Sequence, residues 1–178
     1  ALPIYFEKDS PVNPFQLLAS FEAGASFSKI ALDFNYRQSY SGRDKGLDIR
    51  FFAGTILKKS GSNSFHSLAP AGRSGRELYL YEGIYPDRFA VFPSSFLSRQ
   101  ITLSEGGLVS PVNHVLGYSK WLLSVSLTSS LPGILSKTGI KPFANVLFND
   151  HRLSTRYNSP LFFEAGFKAG ISSVFEIY

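Results

Sequence analysis

The fold is decided by Lys29-Ile30-Ala31-Leu32-Asp33-Phe34-Asn35-Tyr36-Arg37 and by the stretch after it, Leu47-Asp48-Ile49-Arg50-Phe51-Phe52-Ala53. In both stretches, bulky apolar residues alternate with polar or charged residues. Successive side chains of a β-strand point to opposite faces, so each stretch predicts a strand with one apolar and one polar face. The residues between them, 41–46, are rich in Ser, Gly and Asp, which permit a tight reversal. Together they predict a long β-hairpin.

The same period of two returns in other parts of the chain. Residues 120–128 and 161–170 repeat it, with Leu122 as an apolar exception in the polar row. The pattern is less regular in segments 15–23, 96–108 and 139–149. We therefore predict roughly eight to nine antiparallel strands and no helix of useful length.

Two features favour a membrane-spanning sheet. Several predicted strands run for about ten or more residues, whereas strands of soluble proteins usually have about five or six. The polar rows mix small residues such as Ser124, Ser126 and Gly166 with charges, which suits a crowded interior better than an open surface. We predict an all-β fold, an antiparallel transmembrane β-barrel or a large part of one. A soluble β-sandwich or a lipocalin-like barrel is the alternative, because its strands also alternate.

The barrel prediction assigns the two rows to two environments. The lipid-facing candidates are Ile30, Leu32, Phe34, Phe51, Trp121, Leu123, Val125, Phe163 and Phe167. The lumen-facing candidates are Lys29, Asp33, Arg37, Asp48, Arg50, Glu164 and Lys168. Residues 1–14 are predicted to be an N-terminal extension and residues 15–178 the barrel region. Because the chain starts at Ala1 and contains no Met, we expect a processed protein or a fragment of a longer one.

Composition and charge exclude several classes of protein. Charged residues make up 17% of the chain, below the about 25% that is usual in soluble domains. The absence of Cys excludes disulfides, thiol catalysis and cysteine metal sites. No run of about 18 apolar residues occurs, which excludes a transmembrane helix. The net charge of +5 is scattered and carries no aromatic RNA-binding signature, so nucleic acid is not an expected partner.

The sequence offers no candidate catalytic, metal-binding or cofactor-binding residue. The histidines His66, His114 and His151 fall in predicted loops, far apart and without the spacing of a zinc site. Residues 71–75 lack the Gly-x-Ser-x-Gly order of a hydrolase nucleophile turn, because Arg76 takes the last position. A barrel hydrolase that uses His114 or His151 remains an alternative.

The lumen-facing candidates interleave acidic and basic residues instead of forming rings of one sign. This interleaving favours pairing of charges across neighbouring strands. A selective channel is the alternative, and lumen charges of one sign would favour it.

Several motifs carry a family resemblance. They are Gly46–Gly54 (GLDIRFFAG), Gln100 with Glu105-Gly106-Gly107, Ser119–Leu123 (SKWLL), Lys141–Ala144 (KPFA), Phe163–Gly170 (FEAGFKAG) and Phe175–Tyr178 (FEIY). Together they resemble the C-terminal region of large gluzincin-type metallopeptidase-like proteins of Bacteroidota-type bacteria, over about residues 28–178. The resemblance implies a strand-rich, membrane-associated tail behind an upstream aminopeptidase-like domain. The zinc ligands and catalytic Glu of that family lie on the upstream HExxH, which no position here matches, so none is carried over.

The pattern and the resemblance lead to one expectation about function. We predict an outer-membrane β-barrel segment of a Gram-negative bacterium that anchors or scaffolds a partner domain or membrane complex and is not itself catalytic. The expected partners are outer-membrane lipid and other membrane or periplasmic proteins. The alternatives are a channel or transport barrel and the membrane part of a zinc aminopeptidase-like enzyme.

Overall fold

One antiparallel sheet of eight strands makes up the fold. The computed structural model describes residues 2–40, 45–60, 68–70, 105–108, 119–131, 139–150, 160–172 and 175–177. The strands are β1 (Leu2–Lys8), β2 (Phe15–Ala23), β3 (Phe27–Ser39), β4 (Gly46–Lys59), β5 (Trp121–Ser129), β6 (Ile140–Asn149), β7 (Leu161–Ser172) and β8 (Phe175–Ile177). They lie in the sheet in chain order, and each pairs antiparallel with the next. The predicted all-β antiparallel class is confirmed. Across the described segments, no helix is long and apolar enough to cross a membrane.

The set of strands differs from the predicted set at the start of the chain. Leu2–Lys8, within the predicted extension 1–14, form β1 and pair with β2, from Leu2 opposite Phe21 to Lys8 opposite Phe15. The physical reason is the same alternation, because Leu2, Ile4 and Phe6 continue the apolar row of β2. The strand expected over 96–108 lies outside the described residues except for 105–108, which form a turn and a bridge.

The register brings apolar side chains together across the middle of the sheet. Phe34 pairs with Phe51, Phe51 with Val125, Val125 with Val146, and Val146 with Phe163. Residues directly opposite each other in antiparallel strands project to the same side, so these five form one row on one face, here named the outer face. A slip of one residue would turn the polar side chains of that strand toward this face, which is why the alternation fixes the register.

The sheet curls toward its opposite face, here named the inner face. Glu7 of β1 and Lys168 of β7 line the same cavity, although five strands lie between β1 and β7. Among the described strands, β1 pairs with β2 alone and β8 with β7 alone. The structure therefore shows a curled sheet with two edges, not a closed barrel.

The apolar core lies on the inner face, at one end of the sheet. Leu122, the exception in the predicted polar row, and Leu147 are fully buried there. They form one cluster with Phe52 and Ile56 of β4 and with other buried residues, which are Ala31, Leu68 and Leu108. Leu122 and Leu147 are apolar residues on the otherwise polar inner face. This position is favourable because a second layer of chain buries them.

That second layer consists of residues 68–70 and 105–108, here named the inner plug. Leu68 and Ser119 exchange two backbone hydrogen bonds of 2.9 Å, which tie the plug to the residues preceding β5. Within the plug, the Gly106 N–H donates to the Ala69 carbonyl at 3.1 Å and the Leu108 N–H donates to the Pro70 carbonyl at 3.2 Å. These bonds satisfy backbone groups that the plug would otherwise bury unpaired.

A paired substitution in β5 tests which face holds the core. We expect Leu122→Ala to lower the free energy of unfolding by about 2–5 kcal/mol, because it opens a cavity beneath the plug. Leu123→Ala, the neighbour on the outer face, should cost at least about 1 kcal/mol less, since Leu123 is exposed. Equilibrium unfolding of both variants in the same detergent measures the difference. Equal losses would contradict the assignment of the two faces.

Candidate functional site

The outer face carries large apolar side chains that are exposed in the part of the chain that the structure describes. All nine predicted lipid-facing residues lie on it, from Ile30 on β3 to Phe167 on β7. Phe163 is 74% exposed and Phe167 is 67% exposed, with Ile30, Trp121, Leu123 and Val125 also exposed. Leu32, Phe34 and Phe51 are half-buried. The Phe34 ring lies 6.2 Å from Phe15 and 6.5 Å from Tyr36, so aromatic neighbours account for part of its cover.

The inner face carries the charges. All seven predicted lumen-facing residues lie on it, and the strongest pair joins Arg50 of β4 to Asp33 of β3. Arg50 Nε donates to both Asp33 oxygens at 3.1 Å, and Nη2 donates to Oδ2 at 2.6 Å. The guanidinium also lies 5.4 Å from the centre of the Phe52 ring. A two-pronged ion pair of this kind holds the guanidinium in one orientation.

Two more of the predicted residues, Arg37 and Asp48, form a second pair nearer the end of the same hairpin. Arg37 Nε lies 3.4 Å from Asp48 Oδ1, and both side chains are more exposed than those of the Arg50 pair. The interleaved signs in the sequence therefore correspond to pairs between adjacent strands in these two cases.

The partner of Lys29 is a residue that the pairing argument from sequence did not find. Lys29 Nζ lies 3.1 Å from Glu105 Oε1, and the other oxygen of Glu105 accepts a hydrogen bond from the Ala69 N–H. One carboxylate thus joins a strand of the sheet to both parts of the inner plug. Glu105 follows Lys29 by 76 residues. No local spacing could have indicated this contact.

Asn145 makes the corresponding link from β6. Its side chain is buried, and its amide donates to Glu164 Oε1 at 2.7 Å and to the Gly107 carbonyl at 3.4 Å. Glu164, a predicted lumen-facing residue, is therefore hydrogen-bonded to an uncharged neighbour on the adjacent strand. The bond to the Gly107 carbonyl places the polar inner face in direct contact with the plug, and the bond to Glu164 joins β6 to β7.

Gly107 covers the Arg50 side chain where no larger residue would fit. Its φ is +74°, a conformation that residues with a side chain rarely adopt. A Cβ there would lie 2.5 Å from Arg50 Nη1 and 3.1 Å from Ser126 Oγ. Both of these atoms are buried, and neither has a hydrogen-bond partner within the described residues.

Beside Gly107, on the inner face, lies an open cavity of about 390 Å³. The strands β1 to β7 all contribute to its walls, at the end of the sheet away from the apolar core. Its charged lining residues are Glu7, Lys8, Arg37, Asp48, Arg50 and Lys168. Amide and hydroxyl groups complete the polar wall, from Gln16, Asn35, Ser126, Thr128 and Asn145.

No metal-binding cluster is found in the part of the chain that the structure describes. The described residues contain no group of three or more His, Cys, Asp or Glu that could hold a metal ion. His66, His114, His151 and the 71–76 segment lie outside the described residues.

Fold and site together define an antiparallel β-sheet protein with a charged, partly plugged inner face and an uncovered apolar outer face. Comparisons with protein-family models, with curated proteins and with solved structures found no match to this chain.

The two ion pairs of the β3–β4 hairpin should differ in energy. In a double-mutant cycle with alanine, we expect Asp33 and Arg50 to couple by about 1–3 kcal/mol, because their contact is bidentate and half-sheltered. Arg37 and Asp48 should couple by less than about 1 kcal/mol, since solvent screens them. Unfolding free energies of the two sets of variants give both numbers. A weaker coupling for the inner pair would contradict the geometry described above.

Proposed function

We propose that this chain is a β-barrel, or a large part of one, in the outer membrane of a Gram-negative bacterium, where it anchors or scaffolds a partner protein. The single observation that carries the proposal is the inversion of the two faces. Large apolar side chains such as Phe163 and Leu123 are exposed, while the charged pair Asp33–Arg50 is sheltered. Only an apolar surrounding on the outside makes this distribution favourable.

The size of the apolar surface supports a lipid contact. Exposed apolar residues scattered singly are normal on a soluble protein, but a contiguous apolar face indicates a partner or a membrane. Here the exposed residues continue across the sheet from Ile4 on β1 to Phe167 on β7. A lipocalin-like barrel would show the opposite arrangement, with its apolar row inside and its polar row outside.

Strand length supports the same proposal. A strand that crosses a bilayer at a tilt needs about 9–11 residues. The strands β2 and β5 have 9 residues each, β6 has 10 and β7 has 12. The hairpin strands β3 and β4 are longer still, with 13 and 14 residues. Six consecutive strands therefore have the length that a membrane-spanning role requires.

The inner plug favours anchoring over conduction. Leu68 and Leu108 of the plug pack on Leu122 and Leu147, so one end of the inner face is filled by apolar side chains. Glu105 fastens the plug to Lys29 by an ion pair. A filled and fastened interior suits a structural element better than an aqueous pore. The resemblance to metallopeptidase-like proteins makes an upstream peptidase-like domain our candidate for the anchored partner.

The single tryptophan, Trp121, provides a direct test of membrane contact. It lies on the outer face at the start of β5, four residues from the central row, which corresponds to about 13 Å along the strand. In vesicles whose acyl chains carry bromine, we expect its fluorescence to be quenched, and more strongly by bromine near the headgroup than near the chain end. Emission that no brominated lipid quenches would contradict the proposal.

Two substitutions on β6 test whether the cost of introducing a charge depends on its depth in the membrane. Val146 and Ile140 lie on the outer face with nearly equal exposure, 37% and 38%, but about 20 Å apart along the strand. In lipid vesicles, Val146→Arg should lower the unfolding free energy by about 2–4 kcal/mol, as expected at mid-depth. Ile140→Arg, near the interface, should cost about 0–1 kcal/mol. Similar small losses at both positions, under half a kcal/mol, would argue for a water-exposed face.

A further inference from the structure

A groove follows β4 along one half of the outer face, with a volume of about 410 Å³. Its floor consists of the small side chains of Ala53 and Thr55, and bulkier side chains of the two neighbouring strands form its walls. The wall residues are Ile30 and Leu32 of β3 and Trp121 and Leu123 of β5. The register places one wall residue on each side of each floor residue, so the walls run along the strand.

The groove suits a hydrocarbon chain as its occupant. The strand β4 pairs with β3 on one side and with β5 on the other, so its backbone groups are already hydrogen-bonded along the groove. A polar occupant would lose its own hydrogen bonds and find few in return, which costs free energy. An acyl chain carries no polar group, and it gains dispersion contacts with the floor and with both walls.

The length of the groove corresponds to the acyl region of one membrane leaflet. The distance along β4 from Thr55 to Phe51, which lies in the central outer row, is about 13 Å. Half of the hydrocarbon core of a bilayer is about 15 Å thick. A chain lying along the groove would therefore extend from near the interface to mid-depth.

A bulge places a lysine at the outer end of the groove. The register shifts next to Ser28, and Leu57 is the extra residue of β4 at this point. Beyond the bulge, Lys58 lies opposite Ser28, which follows Ile30 in the outward-facing row of β3. Lys58 thus comes after the Ile30–Thr55 pair on the outer face, about 7 Å further along the sheet. Its side chain is exposed, so the ammonium group can contact a headgroup phosphate.

We propose that this groove binds one acyl chain of a phospholipid with an anionic headgroup, and that the phosphate of this lipid lies beside Lys58. The inference rests on the membrane location proposed above and adds to it a site that holds one lipid in a fixed position. Trp121 forms part of the wall at the headgroup end of the groove, so its fluorescence reports whether the groove is occupied.

The test is titration of the full chain, in a non-ionic detergent, with phosphatidylglycerol whose acyl chains carry bromine near the headgroup. We expect quenching of Trp121 that saturates. Phosphatidylcholine with the same brominated chains should bind about fivefold more weakly, because one basic residue beside an anionic lipid contributes on that order. Lys58→Gln should remove this preference. Lys45→Gln, which removes the same charge just before the opposite end of β4, should retain it.

A second pair of variants tests the groove itself. Ala53→Leu should weaken the binding of brominated phosphatidylglycerol at least about tenfold, because the larger side chain displaces the part of the acyl chain that lies on the floor. Ala144→Leu makes the same change on the outer face of β6, opposite Leu127 and outside the groove, and should leave binding unchanged.

Three outcomes would each overturn the site. They are quenching that rises linearly with lipid content, equal affinity of the unmodified chain for the two lipids, and equal losses in Ala53→Leu and Ala144→Leu. Lys58→Gln changes only the headgroup contact and Ala53→Leu only the floor, so either variant decides if the other fails to fold. Quenching of Trp121 in brominated vesicles without saturable binding in detergent would overturn the site alone and leave the membrane proposal in place.

Discussion

The structure depends on one constraint, that neighbouring side chains of a strand leave the backbone on opposite sides. In this sheet the constraint places charge on the inner side and large apolar groups on the outer side of the same strands. The Asp33–Arg50 pair shows the consequence on the inner side. A charge taken from bulk water is tolerated when it is paired and hydrogen-bonded, and the bidentate contact of 2.6–3.1 Å supplies both. On the outer side, contacts within the chain do not remove the apolar groups from the surroundings, because nothing in the described chain covers Phe163 or Phe167.

The inner plug follows from the places where the alternation fails. Leu122 and Leu147 point to the polar side, and without cover they would expose apolar surface to water on a charged face. Residues 68–70 and 105–108 remove that surface from water and bring Glu105 to Lys29. The plug therefore divides the inner face into a dry, apolar end and an open, charged end. The division explains why a small core and a polar cavity occur on the same side of one sheet.

Local pattern was sufficient for most of the sheet but not for β1 or for the plug. The hairpin of β3 and β4 could be predicted because its alternation is nearly unbroken and its turn residues are adjacent in sequence. The faces of Lys29 and Arg50 followed from the same pattern. The partner of Lys29 could not be predicted, because Glu105 is 76 residues away in the chain. A contact over such a separation leaves no periodic signal in the sequence. Leu2–Lys8 were assigned to an extension although they alternate, since a short edge strand carries too little of the pattern to stand out.

If the membrane proposal is correct, the two edges of the sheet must have their backbone groups paired. In hydrocarbon, an unpaired N–H or C=O costs several kcal/mol, so a sheet with open edges is not stable there. Among the described residues, β1 pairs only with β2, and Pro3 reduces the number of its N–H groups by one. The curl that brings Glu7 and Lys168 to one cavity already turns β1 toward the β7–β8 edge. A membrane position thus demands that these edges pair with each other or with further strands. The curl of the sheet brings its two edges toward each other, as closure requires. The uncharged central row of the outer face is the reason to expect a membrane position, and a membrane position is the reason to expect closure.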